Sequence, residues 1–166
     1  MDAFRLDGKV ALVNGGSRGI GAAIAQAFAA QGADVVVSSR KLENVEPVAA
    51  AIRDAGGKAT AFACHTAQPD QVQALFEHIQ ATYGRLDILV NNAATNPYFG
   101  PFIAAPESAF DKTFEVNVKG YFLMAQRAAQ IMVEQGAGSI INIASIEGLS
   151  PSPMMGIYSM TKAAVI

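Results

Sequence analysis

The chain has one cysteine, Cys64, no tryptophan, and only two histidines among its 166 residues. A lone cysteine excludes an intrachain disulfide and a thiolate metal cluster, and it suits a reducing compartment. Cys64 therefore reads as a buried apolar filler, and no metal site is assigned. Charge of one sign is also scarce: twelve Lys and Arg face fourteen Asp and Glu, with no basic run longer than Arg40 and Lys41. That leaves no extended footprint for nucleic acid or anionic lipid. No apolar stretch approaches the roughly 20 residues that span a bilayer. The N-terminal stretch is charged through its first nine residues and meets a glycine pair after a short apolar run, unlike a secretory leader. The expectation is a soluble cytoplasmic protein with neither nucleic-acid nor membrane partners.

What is present is enough apolar material, 51% of residues, for one core-forming domain over residues 1–166. Short apolar runs alternate with longer segments of helical period, the pattern of strand and crossover units in a parallel sheet. The strand candidates are KVALVN from Lys9, DVVVSS from Asp34, KATAFAC from Lys58, LDILVNNAA from Leu86 and SIINIAS from Ser139. Between the first two, Ile20, Ile24, Ala27 and Phe28 share a helical face that Gly32 can end. A second helix is expected from about Leu42 to Ala55. The third opens near Pro69, with Val72, Leu75, Phe76, Ile79 and Tyr83 on one side, and closes at Gly84. Thr95 to Ala105 reads as a loop. The stripe Phe110, Phe114, Val118, Phe122, Ala125, Ala129 and Met132 predicts one long helix from Pro106 to about Gln135, apolar face covered. A proline-bearing loop from Ile146 to Gly156 then delivers a new helix at about Ile157. Right-handed crossovers make this an α/β sandwich with helices on both faces of the sheet. Periodicity alone also admits a flavodoxin-like receiver or another α/β module.

The segment VNGGSRGIG sets Gly15, Gly19 and Gly21 between the first strand and its helix. Glycine allows positive φ and removes Cβ atoms where backbone approaches a phosphate, and a helix N-terminus offers free N–H donors. The spacing departs from G-x-G-x-x-G and lacks the Lys and Ser/Thr pair of a P-loop, which disfavours ATP hydrolysis. A tight structural turn is the plainer alternative. Arg40 lies just past the second strand, where dinucleotide folds read the adenosine ribose. An acidic residue there would accept from a ribose hydroxyl, whereas Ser39 and Arg40 suit a 2′-phosphate and favour NADPH over NADH. Arg18 in the glycine loop reinforces that preference, unless both arginines are ordinary solvated side chains.

Tyr158 and Lys162 stand at i and i+4, so a helix beginning near Ile157 puts them on one face. A phenol has a reference pKa of about 10, and a neighbouring ammonium favours the phenolate, which brings proton exchange with a carbonyl closer to neutrality. With four tyrosines and six lysines in the chain the pair is cheap by chance, and context has to carry it. Ser145 ends the fifth strand, at the sheet edge where open α/β folds bind ligands, and its hydroxyl can donate to a carbonyl oxygen; alone it reads as a turn or cap. Asn117 is a polar residue inside the long apolar helix, where its amide can satisfy backbone or water near Lys162, or simply face solvent.

Taken together, NGGSRGIG, NNAA, Asn117, Ser145 and YSMTK resemble the classical short-chain dehydrogenase/reductase family, in family order and spacing. The resemblance implies a Rossmann-like fold that is C-terminally incomplete, with strands six and seven absent and about two-thirds of a family member covered. It implies a pyrophosphate loop of Gly15, Ser17, Arg18, Gly19, Ile20 and Gly21, ribose contacts from Ser39 and Arg40, adenine-side contacts from His65 and Thr66, and support from Asn91, Asn92 and Ala93. Asn117, Ser145, Tyr158 and Lys162 correspond to the catalytic tetrad: Tyr158 as general acid, Ser145 holding the carbonyl, Lys162 lowering the tyrosine pKa and binding the nicotinamide ribose, Asn117 positioning a relay water. Hydride would come from the nicotinamide. More narrowly, VVVSSRK, NAATNPYFG and SPSPMMGIYSMTK resemble the dehydrogenase/reductase member 4 group of NADPH-dependent carbonyl reductases, whose substrates are small hydrophobic carbonyls or alcohols. The family forms homodimers or homotetramers. A 3-oxoacyl-thioester reductase, or an inactive dinucleotide-binding or assembly fragment, are the alternatives. Three departures stand out: Asn14 where threonine is common, Ala94 where glycine is common, and His65 where an acidic residue usually meets the adenine. His78 reads as a surface or packing residue.

Overall fold

The computed structural model describes residues 4–166, so the first three residues of the stretch read against a secretory leader lie outside the described residues. Five strands, β1 (Val10–Asn14), β2 (Asp34–Ser39), β3 (Lys58–Ala63), β4 (Ile88–Asn91) and β5 (Ser139–Asn142), form one sheet in the order β3-β2-β1-β4-β5. Every pairing is parallel, with Leu12 opposite Val36 on one side and Leu89 on the other. Strands buried on both faces need continuous branched apolar sequence, and VALVN and DVVVSS supply it. The chain moves outward from β1 to β3, then returns through a helix to lay β4 on the far side of β1. This reversal opens a crevice beyond the C-terminal ends of β1 and β4, where open α/β sheets take ligands.

Helices α1 (Gly19–Ala30) and α2 (Leu42–Asp54) cover one face, packing with Ala11, Val13, Val35, Val37 and Val90. On the other face α3 (Pro69–Tyr83) and α5 (Gly120–Glu134) close over Leu12, Val36 and Leu89. Proline at the start of α3 lacks only an N–H that would be orphaned anyway, and Asp70 complements the positive helix end. His78 packs against Phe62 with ring centroids 5.1 Å apart, the packing role its sequence position suggests. At the base of the sheet the Asp87 carboxylate accepts from Val10 N–H at 2.9 Å and from Arg85 Nε and Nη2 at 2.8 and 2.6 Å. Burial alone would push its pKa up, but Arg85, the Val10 N–H and Lys9 outweigh it and hold the carboxyl below its ordinary value.

Two helix faces differ from their sequence reading. In α1 the buried positions are Gly21, Ala25 and Ala29, while Ile20 is 63% exposed beside the crevice and Ala27 faces solvent. Small residues let α1 approach the sheet closely, so the larger Ile24 and Phe28 only flank the contact. The long helix is continuous but contains a five-residue π-helical segment, Glu115–Lys119, between α4 (Glu107–Phe114) and α5. A π turn inserts backbone into the spiral and shifts the phase of the turns C-terminal to it. The buried side accordingly runs through Ala109, Thr113, Val116, Asn117, Tyr121, Met124, Ala128 and Met132. Of the expected stripe only Met132 is buried; Phe122 is 59% exposed and Phe110, stacked on Phe114, faces outward. Strand β5 forms one edge of the sheet with Ile140 and Ile141 exposed. The last helix, α6 (Gly156–Val165), starts one residue before its expected position.

Candidate active site

The turn after β1 is fastened from both sides. Gly15 adopts φ +81°, and its N–H and that of Gly16 donate to Ser38 O at 2.8 and 3.1 Å. A Cβ on Gly15 would lie 2.5 Å from Ala93 N, and one on Gly21 would lie 2.6 Å from Asn92 Nδ2, so both positions require glycine. Asn92 Nδ2 donates to Gly15 O at 2.8 Å, tying the turn to the end of β4. Beneath it, the Asn14 amide donates to Thr66 Oγ1 at 3.0 Å and accepts from Ser38 Oγ at 3.4 Å. The departure from threonine at position 14 is thus a buried bridge from the ends of β1 and β2 to the loop after β3. Asn91, also buried, donates to Asn142 Oδ1 at 3.0 Å and leaves its own oxygen without a partner.

Above this floor lies a cavity of about 550 Å³. Gly15, Ser17, Arg18, Gly19 and Ile20 form one wall, Ser39 and Arg40 another, with His65, Thr66, Asn92 and Ala93 completing most of the rest. Gly21 and Asn91 stand behind it as supports. Thr95, Lys112 and Val116 also line the cavity, and the sequence reading did not single them out. Lys112 and Val116 are invisible in sequence because the helix carrying them is separated from the glycine turn by three strands; for Thr95, its place directly after NNAA was the available signal.

The cavity wall offers unpaired hydrogen-bond donors and cations, features that suit an anionic ligand. The first turn of α1 has no side-chain cap and no acidic residue, so its N–H donors face the cavity unopposed. A Cβ on Gly19 would meet nothing within 4 Å. Arg18 and Arg40 are exposed and, among the described residues, form no salt bridge. His65 is a brace for its own loop: Nδ1 accepts from Ala67 N–H at 3.2 Å, and its main-chain N–H donates to Gln71 Oε1 at 2.8 Å. Its Nε2 faces Lys112 Nζ at 3.4 Å, and Lys112 pairs with Glu115 at 2.9 Å. Burial and then Lys112 push the imidazole pKa down, Glu115 only partly opposing, so the ring is neutral near pH 7. Cys64, buried below, has its thiol pushed up to about 12 by burial, which keeps it protonated and inert.

Across the crevice, Tyr158 and Lys162 share one face of α6. Lys162 is 2% exposed; Nζ donates to Ile143 O at 2.6 Å and lies 5.7 Å from the Tyr158 ring centroid. Burial pushes its pKa down. Tyr121 donates to the same carbonyl at 3.3 Å, and burial, with Tyr158 adding to it, pushes its phenol up. Ser145 Oγ accepts the Glu147 N–H at 3.2 Å, which leaves its proton free to donate outward. The Asn117 side chain is fully engaged: Oδ1 accepts from Thr95 N–H at 2.8 Å, and Nδ2 donates to Thr95 O and Thr161 Oγ1, both at 3.0 Å. It therefore links a residue of the cavity wall to the helix of Tyr158.

A family model described as short chain dehydrogenase matches residues 9–166. The chain is 40% identical over 161 residues to dehydrogenase/reductase SDR family member 4 of Bos taurus, covering 97% of itself and 58% of that relative's length. Among solved structures, a metagenomic short-chain oxidoreductase in complex with NADP matches with TM-score 0.92 and 37% identity, over 96% of this chain and 72% of the other. A 7α-hydroxysteroid dehydrogenase complexed with NADH and 7-oxo glycochenodeoxycholic acid matches with TM-score 0.93 and 36% identity, over 99% and 64%.

Proposed function

Because the chain belongs to the short-chain dehydrogenase family, we propose that it reduces an uncharged, apolar ketone or aldehyde to the alcohol, using NADPH. The observation that carries this reading is the Thr95–Asn117–Thr161 hydrogen-bonded link, which couples the phosphate-suited cavity to the helix bearing Tyr158 and Lys162. When bound, the dinucleotide supplies hydride to the carbonyl carbon. Gly15, Gly19 and the first turn of α1 hold its pyrophosphate, and Arg18, Ser39 and Arg40 meet the 2′-phosphate, the feature that selects NADPH over NADH. Tyr158 gives its phenolic proton to the carbonyl oxygen as the alcohol forms, and Ser145 donates a hydrogen bond to that oxygen. The buried Lys162 charge stabilises the phenolate left behind. Asn117 holds cavity and catalytic helix in register and positions a relay water for the proton transfer.

The substrate class follows from the two loops beside α6. No charged residue occurs from Asn92 to Pro106, and Glu147 is the only one from Ile143 to Gly156. Gly100 N–H donates to Met154 O at 3.1 Å and joins the loops, which present Phe99, Phe102 and Ile103, at 64% exposure or more, and Met154. Without a cation to receive an anionic carrier, this mouth favours a hydrophobic carbonyl over an acyl thioester on a phosphorylated carrier. The outward aromatic side of α4 and α5 suits burial against further copies in a homodimer or homotetramer.

NADPH oxidation with hydrophobic ketones, compared between the wild type and Tyr158→Phe, tests the assignment. Loss of the proton donor should lower turnover by at least ~100-fold with NADPH affinity unchanged. Equal rates in the two proteins reject Tyr158 as the donor. Tight NADPH binding without turnover in either would make the chain a dinucleotide-binding module, as its 58% span of the bovine relative allows.

A further inference from the structure

The loop between β5 and α6 carries one charge, Glu147, and its carboxylate is the most heavily bonded group in that region. Oε2 accepts from Ser152 N–H at 2.9 Å and from Ser159 Oγ at 2.8 Å, while Oε1 accepts from Ser152 Oγ at 2.5 Å. Ser159 directly follows Tyr158, and the Glu147 main-chain N–H is the group that holds Ser145 Oγ. One residue therefore grips both partners of the proposed reaction, Ser145 through its backbone and the start of the Tyr158 helix through its side chain. The next residue, Gly148, lies so close to α6 that a Cβ there would sit 2.6 Å from the Lys162 carbonyl carbon. The turn Ile146–Gly148 is thus seated directly on the backbone of the catalytic helix.

We propose that Glu147 is a positioning residue that sets the separation and orientation of the Ser145 hydroxyl relative to the Tyr158 phenol. This rests on the functional reading above. Ser145 and Tyr158 must meet the same carbonyl oxygen, and they arrive from different elements, one on a turn and one on a helix. Without a fixed connection the turn pivots about the end of β5, and the two donors no longer converge. The three hydrogen bonds to one carboxylate, from the loop backbone, the loop side chain and the helix, remove that freedom. They also occupy the carboxylate: the ionised form is favoured by its bonds to Ser152 and then Ser159, which hold its pKa below the usual value. The mouth therefore stays open to an apolar substrate despite the charge.

Glu147→Ala and Glu147→Gln separate positioning from charge. Glutamine keeps a carbonyl oxygen for the obligate Ser152 N–H donor, and its NH2 can donate to a serine hydroxyl that turns to accept. The expected result for Glu147→Ala is a ~10- to 100-fold fall in kcat with ketone KM and NADPH Kd each within about twofold of wild type, whereas Glu147→Gln stays within about threefold in kcat. In parallel, amide hydrogen exchange of the full chain should show Ser152 and the first turn of α6 exchanging ~10-fold faster in Glu147→Ala, with the glycine turn after β1 unchanged. Undiminished kcat, or an unaltered exchange pattern in this segment, overturns the proposal. If the wild type lacks turnover yet Glu147→Ala loosens the segment as stated, the carbonyl-reductase reading fails and the positioning of Ser145 by Glu147 stands. A KM rise with constant kcat in both variants assigns Glu147 to substrate contact and overturns it as well.

Discussion

Replacing Arg40 with alanine should weaken NADPH binding selectively. Arg40 sits at the end of β2 on the cavity wall, exposed and without a salt bridge among the described residues. A charge-assisted hydrogen bond to phosphate contributes about 1.5–3 kcal/mol when sheltered, and solvent exposure lowers that to about 1–2 kcal/mol here. At 1.36 kcal/mol per factor of ten, the loss is a roughly 5- to 30-fold rise in the NADPH Kd. NADH carries no 2′-phosphate, so its Kd should stay within about twofold, an expectation of the same electrostatic argument. Isothermal titration of both dinucleotides against wild type and Arg40→Ala gives the four affinities. Repeating the set at high ionic strength should shrink the NADPH effect, because the Debye length falls to about 3 Å at 1 M salt. Tighter binding of NADH than NADPH by the wild type, or an equal loss for both in the variant, refutes the assignment of Arg40 to the 2′-phosphate.

Two other substitutions probe the scaffold. Gly21→Ala forces a methyl against Asn92 Nδ2 and should break its bond to Gly15 O, at an overpacking cost of about 1–3 kcal/mol; calorimetry should register a ~10-fold or larger rise in the NADPH Kd, and an unchanged Kd would show that the strut does not shape the cradle. Asp87→Ala strands the Val10 N–H and Arg85, and urea titration at pH 7 should report a loss of about 1–3 kcal/mol with dinucleotide binding intact. Because the folded-state pKa of Asp87 is depressed, its stabilisation is present above the unfolded value of about 3.9 and is lost as pH falls through the folded value, so the gap between the two proteins should narrow there.

The strands are legible in sequence because each is a short, largely apolar run bounded by glycine or a helical segment, and the intervening helices imply parallel pairing; the order β3-β2-β1-β4-β5 is not, because periodicity alone also admits a flavodoxin-like arrangement. Gly15, Ser17, Arg18, Gly19 and Ile20 of the glycine turn line the cavity, while Gly16 and Gly21 do not, and Tyr158 and Lys162 share one helix face as i and i+4 require. Properties that depend on phase and distance are not legible in the same way. The aromatic stripe of the long helix assumes an unbroken period, and the π segment rotates the buried side onto smaller residues. Asn117 is recognisable as an odd polar residue in an apolar helix, but its partners, Thr95 and Thr161, lie 22 and 44 positions away. Lys112 gives no sequence signal, since only the folded crossover brings it beside His65.

The bridge formed by Asn14, Ser38 and Thr66 consists of an amide and two hydroxyls, none of which ionises across the biological pH range. A nucleotide settling on that support meets no group there that gains or loses a proton, and the thiol beneath stays neutral too. On the function proposed above, acidification acts on nucleotide occupancy from the rim, through the imidazole of His65 and the phosphates themselves, while the seat keeps one shape and one potential.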